Sequence, residues 1–446
     1  MKRISRYQIF CSVVGVLAFT GARAQNRKEE RNDGEYKKRV LERTEVDFLT
    51  SIYNQDGENA AVSGGKGTEQ LTDGAAAIVV SVPLNDDDVL TIDASVSAYT
   101  SASSSNINPF DGEQPADPFR ASSGASKSDV WSNFTGTYSH SSDDRNSIWS
   151  SHFSVSSEFD YFSLGFGGGY TRLLNEKNTE LHAKLSVHLD SWSLLYPYEL
   201  RPFGEGGEGL DDPFFSLHNI TGNPDYAPVF SEHSSKKRNS YALGLSVSQI
   251  FTSNFQGIFL FDLIQQNGLL STPFQRVYFA DTEASFIDQF QLADDVEQLP
   301  DARLKIALGT RLHYYLNEIV VARAFYRYYF DEWGVLSHTA NVELPVKISQ
   351  RFTLYPSYRY YYQSAADYFK PFEQHLSTDQ YYTSDYDLSE FTANQLGFGI
   401  SYSDIFTESH IWRLGIKSID LKYNYYERNS GFHANLISAG IKLVVD

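Results

Sequence analysis

The sequence predicts an all-β fold, a transmembrane antiparallel β-barrel of about 16 strands (about 14 to 18) with long extracellular loops and short periplasmic turns. Three observations carry that expectation. Side chains alternate apolar and polar in segment after segment, as in Val89 to Tyr99, where Leu90, Ile92, Ala94, Val96 and Ala98 oppose Thr91, Asp93, Ser95 and Ser97. A period of two marks a strand with one apolar and one polar face. Connections between these segments alternate short and long, and aromatic residues gather at both strand ends, as they do at membrane interfaces.

Two segments precede the barrel. Residues 1–24 carry Lys2, Arg3 and Arg6, an apolar run from Ile9 to Phe19 and then Ala22-Arg-Ala24, the order of a cleaved secretory signal peptide. The run is too short for a membrane-spanning helix, which needs roughly 20 apolar residues, and no later stretch reaches that length. The single cysteine, Cys11, falls within this leader, so the exported chain is expected to hold no disulfide and no thiolate metal site. Residues 25–44 form a mixed charge run without periodicity, expected to be a solvated periplasmic segment.

The barrel is expected to fill residues 45–446, with strands near 45–54, 75–83, 88–100, 128–140, 147–157, 159–172, 179–191, 238–251, 257–267, 303–315, 319–330, 335–345, 351–362, 391–403, 411–426 and 433–445. Most are near the roughly 9 to 13 residues that a tilted membrane strand requires. Short polar links such as Asn85 to Asp88, Ser141 to Asn146, Leu173 to Asn178 and Leu316 to Glu318 interleave with long segments at 55–74, 101–127, 192–237, 268–302 and 364–390. Placing the long segments outside leaves both termini in the periplasm, and an even strand count closes the wall without a free edge.

On the lipid face, Tyr326, Tyr328 and Phe330, then Tyr358, Tyr360 and Tyr362, then Tyr423 and Tyr425 fall at the outer ends of rising strands. Phe251, Tyr314 and Tyr402 fall at the inner ends of descending ones. Gly165-Phe-Gly-Gly-Gly169 lies within a strand and supplies small residues for a crowded wall. The last strand alternates Ile437, Ala439, Ile441, Leu443 and Val445 on one face but ends in Val445-Asp446 rather than the closing aromatic residue common in outer-membrane barrels.

Removing Lys2, Arg3, Arg6 and Arg23 with the leader takes the formal charge from −19 to about −23, which disfavours nucleic acid as a partner. The mean hydropathy of −0.37 is compatible with a membrane barrel, where only alternate residues meet lipid.

If the apolar face meets lipid, the other lines a lumen. It carries a basic stripe of Arg303, Lys305, Arg311, His313, Arg323, Arg327 and Arg359, and the acids Asp93, Asp190, Asp262, Asp331 and Glu343. Two readings follow. The stripe selects anions, as rings of Arg or Lys do in pores, or it pairs with the acids into a rigid interior. The outer loops are acidic, with Asp281, Glu283, Asp288, Asp294, Asp295, Glu297 and Asp301 in one and Asp367, Glu373, Asp379, Asp385, Asp387 and Glu390 in another. They lack calcium-loop spacing and are expected to be solvated, bridged loosely to the lipid surface by divalent ions.

No zinc helix, phosphate-binding loop or dinucleotide motif is present. His182, Ser186, His188 and Asp190 share one strand face, but alternation alone brings such residues together, and no enzymatic site, cofactor or metal is expected.

Asp47 to Glu69, Val82-Pro-Leu84, Tyr99 to Ser103, Ser271-Thr-Pro-Phe-Gln-Arg-Val-Tyr-Phe279 and Tyr361 to Tyr368 resemble an uncharacterised family of bacterial outer-membrane proteins, domain of unknown function 3570. The resemblance covers about residues 40 to 446 and implies an exported barrel of Gram-negative bacteria, inserted in outer-membrane lipid by the barrel-assembly machinery. It also implies genomic neighbours that include a small lipoprotein, a thioredoxin-like protein and a flavin transferase. It supplies no catalytic residue. The expected function is a channel or transport protein for small solutes. The alternative is a scaffold that holds a lipoprotein or extracytoplasmic redox partner through its loops and N-terminal segment.

Overall fold

The computed structural model describes residues 39–100, 129–287 and 290–445. The expected leader, most of the charged segment at 25–44, the loop at 101–127 and Asp288 lie outside the described residues.

Sixteen long strands form the wall. They are β1 (Glu45–Asp56), β2 (Leu71–Pro83), β3 (Asp88–Tyr99), β4 (Asp129–Ser141), β5 (Ser147–Ser157), β6 (Tyr161–Leu174), β7 (Thr179–Trp192) and β8 (Lys237–Thr252). The second half comprises β9 (Phe255–Gly268), β10 (Ala302–Tyr315), β11 (Val321–Asp331), β12 (Leu336–Glu343), β13 (Phe352–Gln363), β14 (Phe391–Ser403), β15 (Leu414–Arg428) and β16 (His433–Val445). Each pairs antiparallel with its neighbour in sequence, and β1 pairs with β16 from Glu45 opposite Val444 to Asp56 opposite His433. That last pairing closes the barrel and leaves no edge.

The expected strand at 335–345 is interrupted because Pro345 has no N–H to give. The wall resumes at Val346–Lys347 against β13. Pro356 in β13 lies beside the same break, its carbonyl accepting from the Leu344 N–H, so both missing donors fall where the ladder is already open. The expected strand at 411–426 starts later, at Leu414, because His410 and Ile411 turn back on Leu414 and Gly415 in a small hairpin.

The alternation resolves as one apolar surface outside and one polar surface inside. Ile52, Phe134, Phe153, Phe166, Leu185, Leu245, Phe259, Leu308, Leu396, Leu421 and Ile437 are all exposed on the outer face. Such a belt has no place in water and fits a bilayer. The aromatic residues named above take the same face: Phe251 stacks on Phe255 with Tyr314 beyond, Phe352 meets Tyr402, and Tyr326, Tyr328 and Tyr362 surround His338. No described helix is long and apolar enough to cross a membrane. The chain is a closed β-barrel whose apolar belt fits a membrane crossed by strands.

Gly167 in β6 faces the lumen, where a Cβ would lie 2.2 Å from the Leu185 carbonyl oxygen and 2.6 Å from the His152 ring. The absence of a side chain there permits the close approach of β6 and β7.

The inner turns are mostly short. Of the outer connections, 57–70, 193–236, 269–301 and 364–390 are long, whereas 158–160, 332–335 and 429–432 are tight.

Candidate functional site: a capped lumen

Every residue of the expected basic stripe and acidic set has the inward register. In β10 and β11, Lys305 lies opposite Asp331, Gly309 opposite Arg327 and His313 opposite Arg323, while β12 sets Glu343 opposite Arg323 and Asn341 between Arg323's strand and Arg359. Asp93 sits on the far wall, flanked by Val79 and Thr135.

Much of the charge is locked in pairs. Arg303 donates from Nε (3.0 Å) and Nη2 (2.5 Å) to Asp331 Oδ2, Arg323 Nη1 reaches Glu343 at 2.9 Å, and Arg238 reaches Asp190 at 2.9 Å. Arg327 comes only to 3.9 Å from Asp262, beyond hydrogen-bond range. Asp331 is saturated, because Tyr329 also donates to its Oδ2 and the Trp333 and Val335 N–H groups donate to Oδ1. His313 shares a 3.0 Å contact with Gln256, and Arg311 lies over the Phe325 ring.

Over this wall the long outer loops fold into a cap. Leu200, Tyr278, Ala293 and Val296 form one apolar cluster, and Phe215, Tyr226, Ile287 and Leu292 another. Residues 269–301 are the hub. Arg276 pairs with Glu199 at 2.7 Å and donates to the Val62 carbonyl, while Gln298 and Tyr382 exchange backbone hydrogen bonds. The expectation of solvated acidic loops is therefore corrected for three of these acids, whereas Asp281, Glu283, Asp301, Asp367, Glu373 and Glu390 are exposed. Asp294, Asp295 and Glu297 are 7, 0 and 2 % exposed, because these carboxylates accept the hydrogen bonds that hold the loops together. Asp294 accepts from the Phe279 N–H, Asp295 from the Ser231 N–H and the Tyr382 hydroxyl, and Glu297 from the Thr272 N–H and the Thr383 hydroxyl.

Burial without a facing cation costs the charged form most. It pushes Asp294 up to about 6, Asp295 to about 7 and Glu297 to about 8. Asp385 rises to about 7, from burial and then the neighbouring Asp387.

Between cap and wall lies a cavity of about 420 Å³. Its wall side presents Arg238, Arg303, Lys305, Arg327, Arg359 and Arg428, its roof Glu297, Asp385 and Asp387, and apolar or aromatic side chains such as Leu270, Leu299, Phe325, Tyr329, Trp333 and Tyr361 fill the rest. Arg428 bolts roof to wall: it pairs with Asp387 at 2.7 Å, donates to the Tyr426 hydroxyl and lies over the Phe391 and Phe432 rings. Arg311, His313 and Arg323 do not line this cavity.

Sequence reasoning missed Arg238 and Arg428, although both have the inward parity of their strands and could have been found by extending the alternation to the strand ends. The roof carboxylates carried no such signal. Of the residues weighed for hydrolysis, His182 bonds to Thr171 and Asp190 to Arg238, so the acid is already engaged. Among the described residues no cluster of three or more His, Cys, Asp or Glu side chains forms a metal-ligand set.

Solved structures with a similar fold match at low identity. A polysaccharide outer membrane secretin aligns with TM-score 0.43 at 8 % identity, over 90 % of this chain and 98 % of that one. The TodX monoaromatic hydrocarbon channel deltaS2S3 mutant aligns with TM-score 0.38 at 11 % identity, over 91 % of each chain. OccK2 (OpdF) of Pseudomonas aeruginosa in complex with glucuronate aligns with TM-score 0.38 at 8 % identity, over 91 % of this chain and all (100 %) of that one. No curated protein shows significant similarity to the chain. Residues 133–440 match the model described as Protein of unknown function (DUF3570), and the chain belongs to that family.

Proposed function

We propose that this barrel carries a small solute across the outer membrane, with the loop cap closing the outer mouth above a binding chamber. The chamber itself is the supporting observation: a cavity of about 420 Å³ with a mixed charged and apolar lining, roofed by loops bonded to one another and walled by β8 to β15. A barrel that served only as a membrane anchor would gain nothing from leaving such a space between wall and cap, since a packed interior is more stable. The protein acts here as a conduit and not as an enzyme.

Reconstitution in planar bilayers tests the reading. The wild-type chain is expected to conduct rarely, and Arg276→Ala, which frees residues 57–70 and 193–236 from the hub, is expected to raise open probability at least tenfold. Absence of conductance and of solute uptake into liposomes in both proteins overturns it.

One observation favours the scaffold alternative. The inner turn 404–413 holds Ile405, Phe406 and Trp412 at 82, 82 and 89 % exposed, an apolar knuckle at the periplasmic end. Arg39 and Val40 also bind the inner turn at Asp86, which would hold the N-terminal segment near the same end. Affinity purification from membranes separates the readings, because a barrel that always purifies alone is no scaffold.

A further inference from the structure

We infer that the cavity beneath the cap is a binding site for a small organic acid, whose carboxylate is drawn to the lining cations that lack a dedicated counter-ion, Lys305 and Arg359, and whose carbon body lies against the aromatic part of the lining. The inference deepens the transport reading and rests on it for its physiological sense.

Charge accounting points to an anion. Six cations line the cavity. Arg238, Arg303 and Arg428 each have a dedicated carboxylate at 2.9 Å or less. Lys305 faces Asp331 across β10 and β11, but every lone pair of that carboxylate is already committed to Arg303, Tyr329 and two backbone N–H groups. Among the described residues neither Lys305 nor Arg359 takes part in an ion pair, and Arg359 stays exposed within the lumen. Arg327 adds a third, loosely held charge at 3.9 Å from Asp262.

The roof does not supply the missing counter-ions. Asp387 belongs to Arg428, Asp385 accepts from the Gln275 side chain and the Asp387 N–H, and Glu297 is turned to the Thr272 N–H and the Thr383 hydroxyl. An ammonium that is only part-exposed, as at Lys305, is costly without a partner, and Arg359 is open to an incoming ligand, so the site is built for an anion that arrives from outside. Either group suits a carboxylate, the guanidinium as a bidentate partner and the ammonium as a point charge.

The rest of the lining identifies the class. Leu270, Leu299, Phe325, Tyr329, Trp333 and Tyr361 face the same space, which an inorganic anion would leave empty or wet. The volume falls within the range of about 300 to 1,000 Å³ usual for small-molecule pockets. An acid with an aromatic or aliphatic body satisfies both halves.

The test is titration calorimetry on the full exported chain, folded in detergent, with sodium benzoate as probe and inorganic phosphate and benzylammonium as counter-probes. Benzoate is expected to bind, the other two to bind at least tenfold more weakly, and at least one of Lys305→Gln and Arg359→Gln to weaken benzoate at least tenfold. Lys184→Gln, which removes a lumen charge from β7 outside the cavity, is expected to leave the affinity within twofold. Retained heat-modifiable migration in gels establishes that each variant is folded. Benzylammonium or phosphate binding as tightly as benzoate, benzoate binding untouched by both variants, or no benzoate binding at all overturns the inference. Benzoate binding without conductance in bilayers overturns the transport reading alone, and conductance without benzoate binding overturns the site alone.

Discussion

Asp331 is the residue on which the charged corner of the lumen turns. It accepts from Arg303, Tyr329, Trp333 and Val335 with its side chain shut off from solvent. Asp331→Asn removes the charge that Arg303 was placed to meet, and uncoupling one member of a buried pair costs about 3 to 5 kcal/mol. The expected outcome is a clear drop in the temperature at which the folded gel band converts to the unfolded one, larger than for Glu343→Gln, whose partner Arg323 is partly exposed. Gly167→Ala tests a steric requirement instead. The added methyl would meet the Leu185 carbonyl 2.2 Å away, so β6 and β7 must separate. Folding yield from denaturant is expected to fall while the same change at Gly136, which has open space, is tolerated.

At the scale of elements, wall and cap are held by different forces and respond differently to pH. The wall is a continuous backbone ladder, whereas the cap depends on carboxyls whose folded-state values lie above the ordinary range, from about 6 for Asp294 to about 8 for Glu297. For an acid with a raised folded value, the folded state holds more protons than the open state, so stability falls as pH rises. The cap is therefore tightest below about pH 4, the ordinary carboxylate range, and loosens as pH climbs through 6 to 8. Hydrogen exchange across residues 269–301, corrected for intrinsic base catalysis, is expected to be faster at pH 9 than at pH 6, and Glu297→Gln is expected to flatten that dependence. An unchanged exchange rate would show that the loops are held by their apolar clusters alone. The same division explains what could be read from the sequence. Strand positions, lumen parity and the basic stripe follow from local alternation, which each segment carries in itself. The cap does not: Arg276 meets Glu199 and Val62, and Asp295 meets Tyr382, across separations that no local pattern records, and its carboxylates look like solvated surface until the loops are folded. The family-like strings around 61–65 and 271–279 gain a physical meaning here, since Gly64, at φ 76°, lies against the Tyr278 ring where a Cβ would come within 2.6 Å.

For the whole molecule, the ordinary arrangement of a soluble protein is inverted, with the wet face enclosed and the apolar face outward. Leu308 and Arg327 show how strictly this holds: Leu308 points out at 46 % exposed, and Arg327, on the adjacent strand, points into the cavity. Leu308→Arg is expected to destabilise the barrel in bilayers by about 2 to 4 kcal/mol, the cost of a cation facing lipid near the midplane, and to cost much less in a detergent that lets the side chain reach water. Orientation then follows from chain order. An even number of strands returns the C-terminal end to the side from which β1 set out, so the four long described loops share one side with the tight links 158–160, 332–335 and 429–432, and inner turns such as Thr252 to Phe255 share the other. Because Cys11 is the only cysteine of the sequence and falls in the expected leader, single reporters can be placed without background. Glu208→Cys, exposed in the cap, is expected to react with a membrane-impermeant maleimide on intact cells, and Ser253→Cys, exposed in an inner turn, only after the outer membrane is broken. Labelling of Ser253→Cys on intact cells with Glu208→Cys protected would turn the barrel over and put the cap, and the chamber it closes, on the periplasmic side.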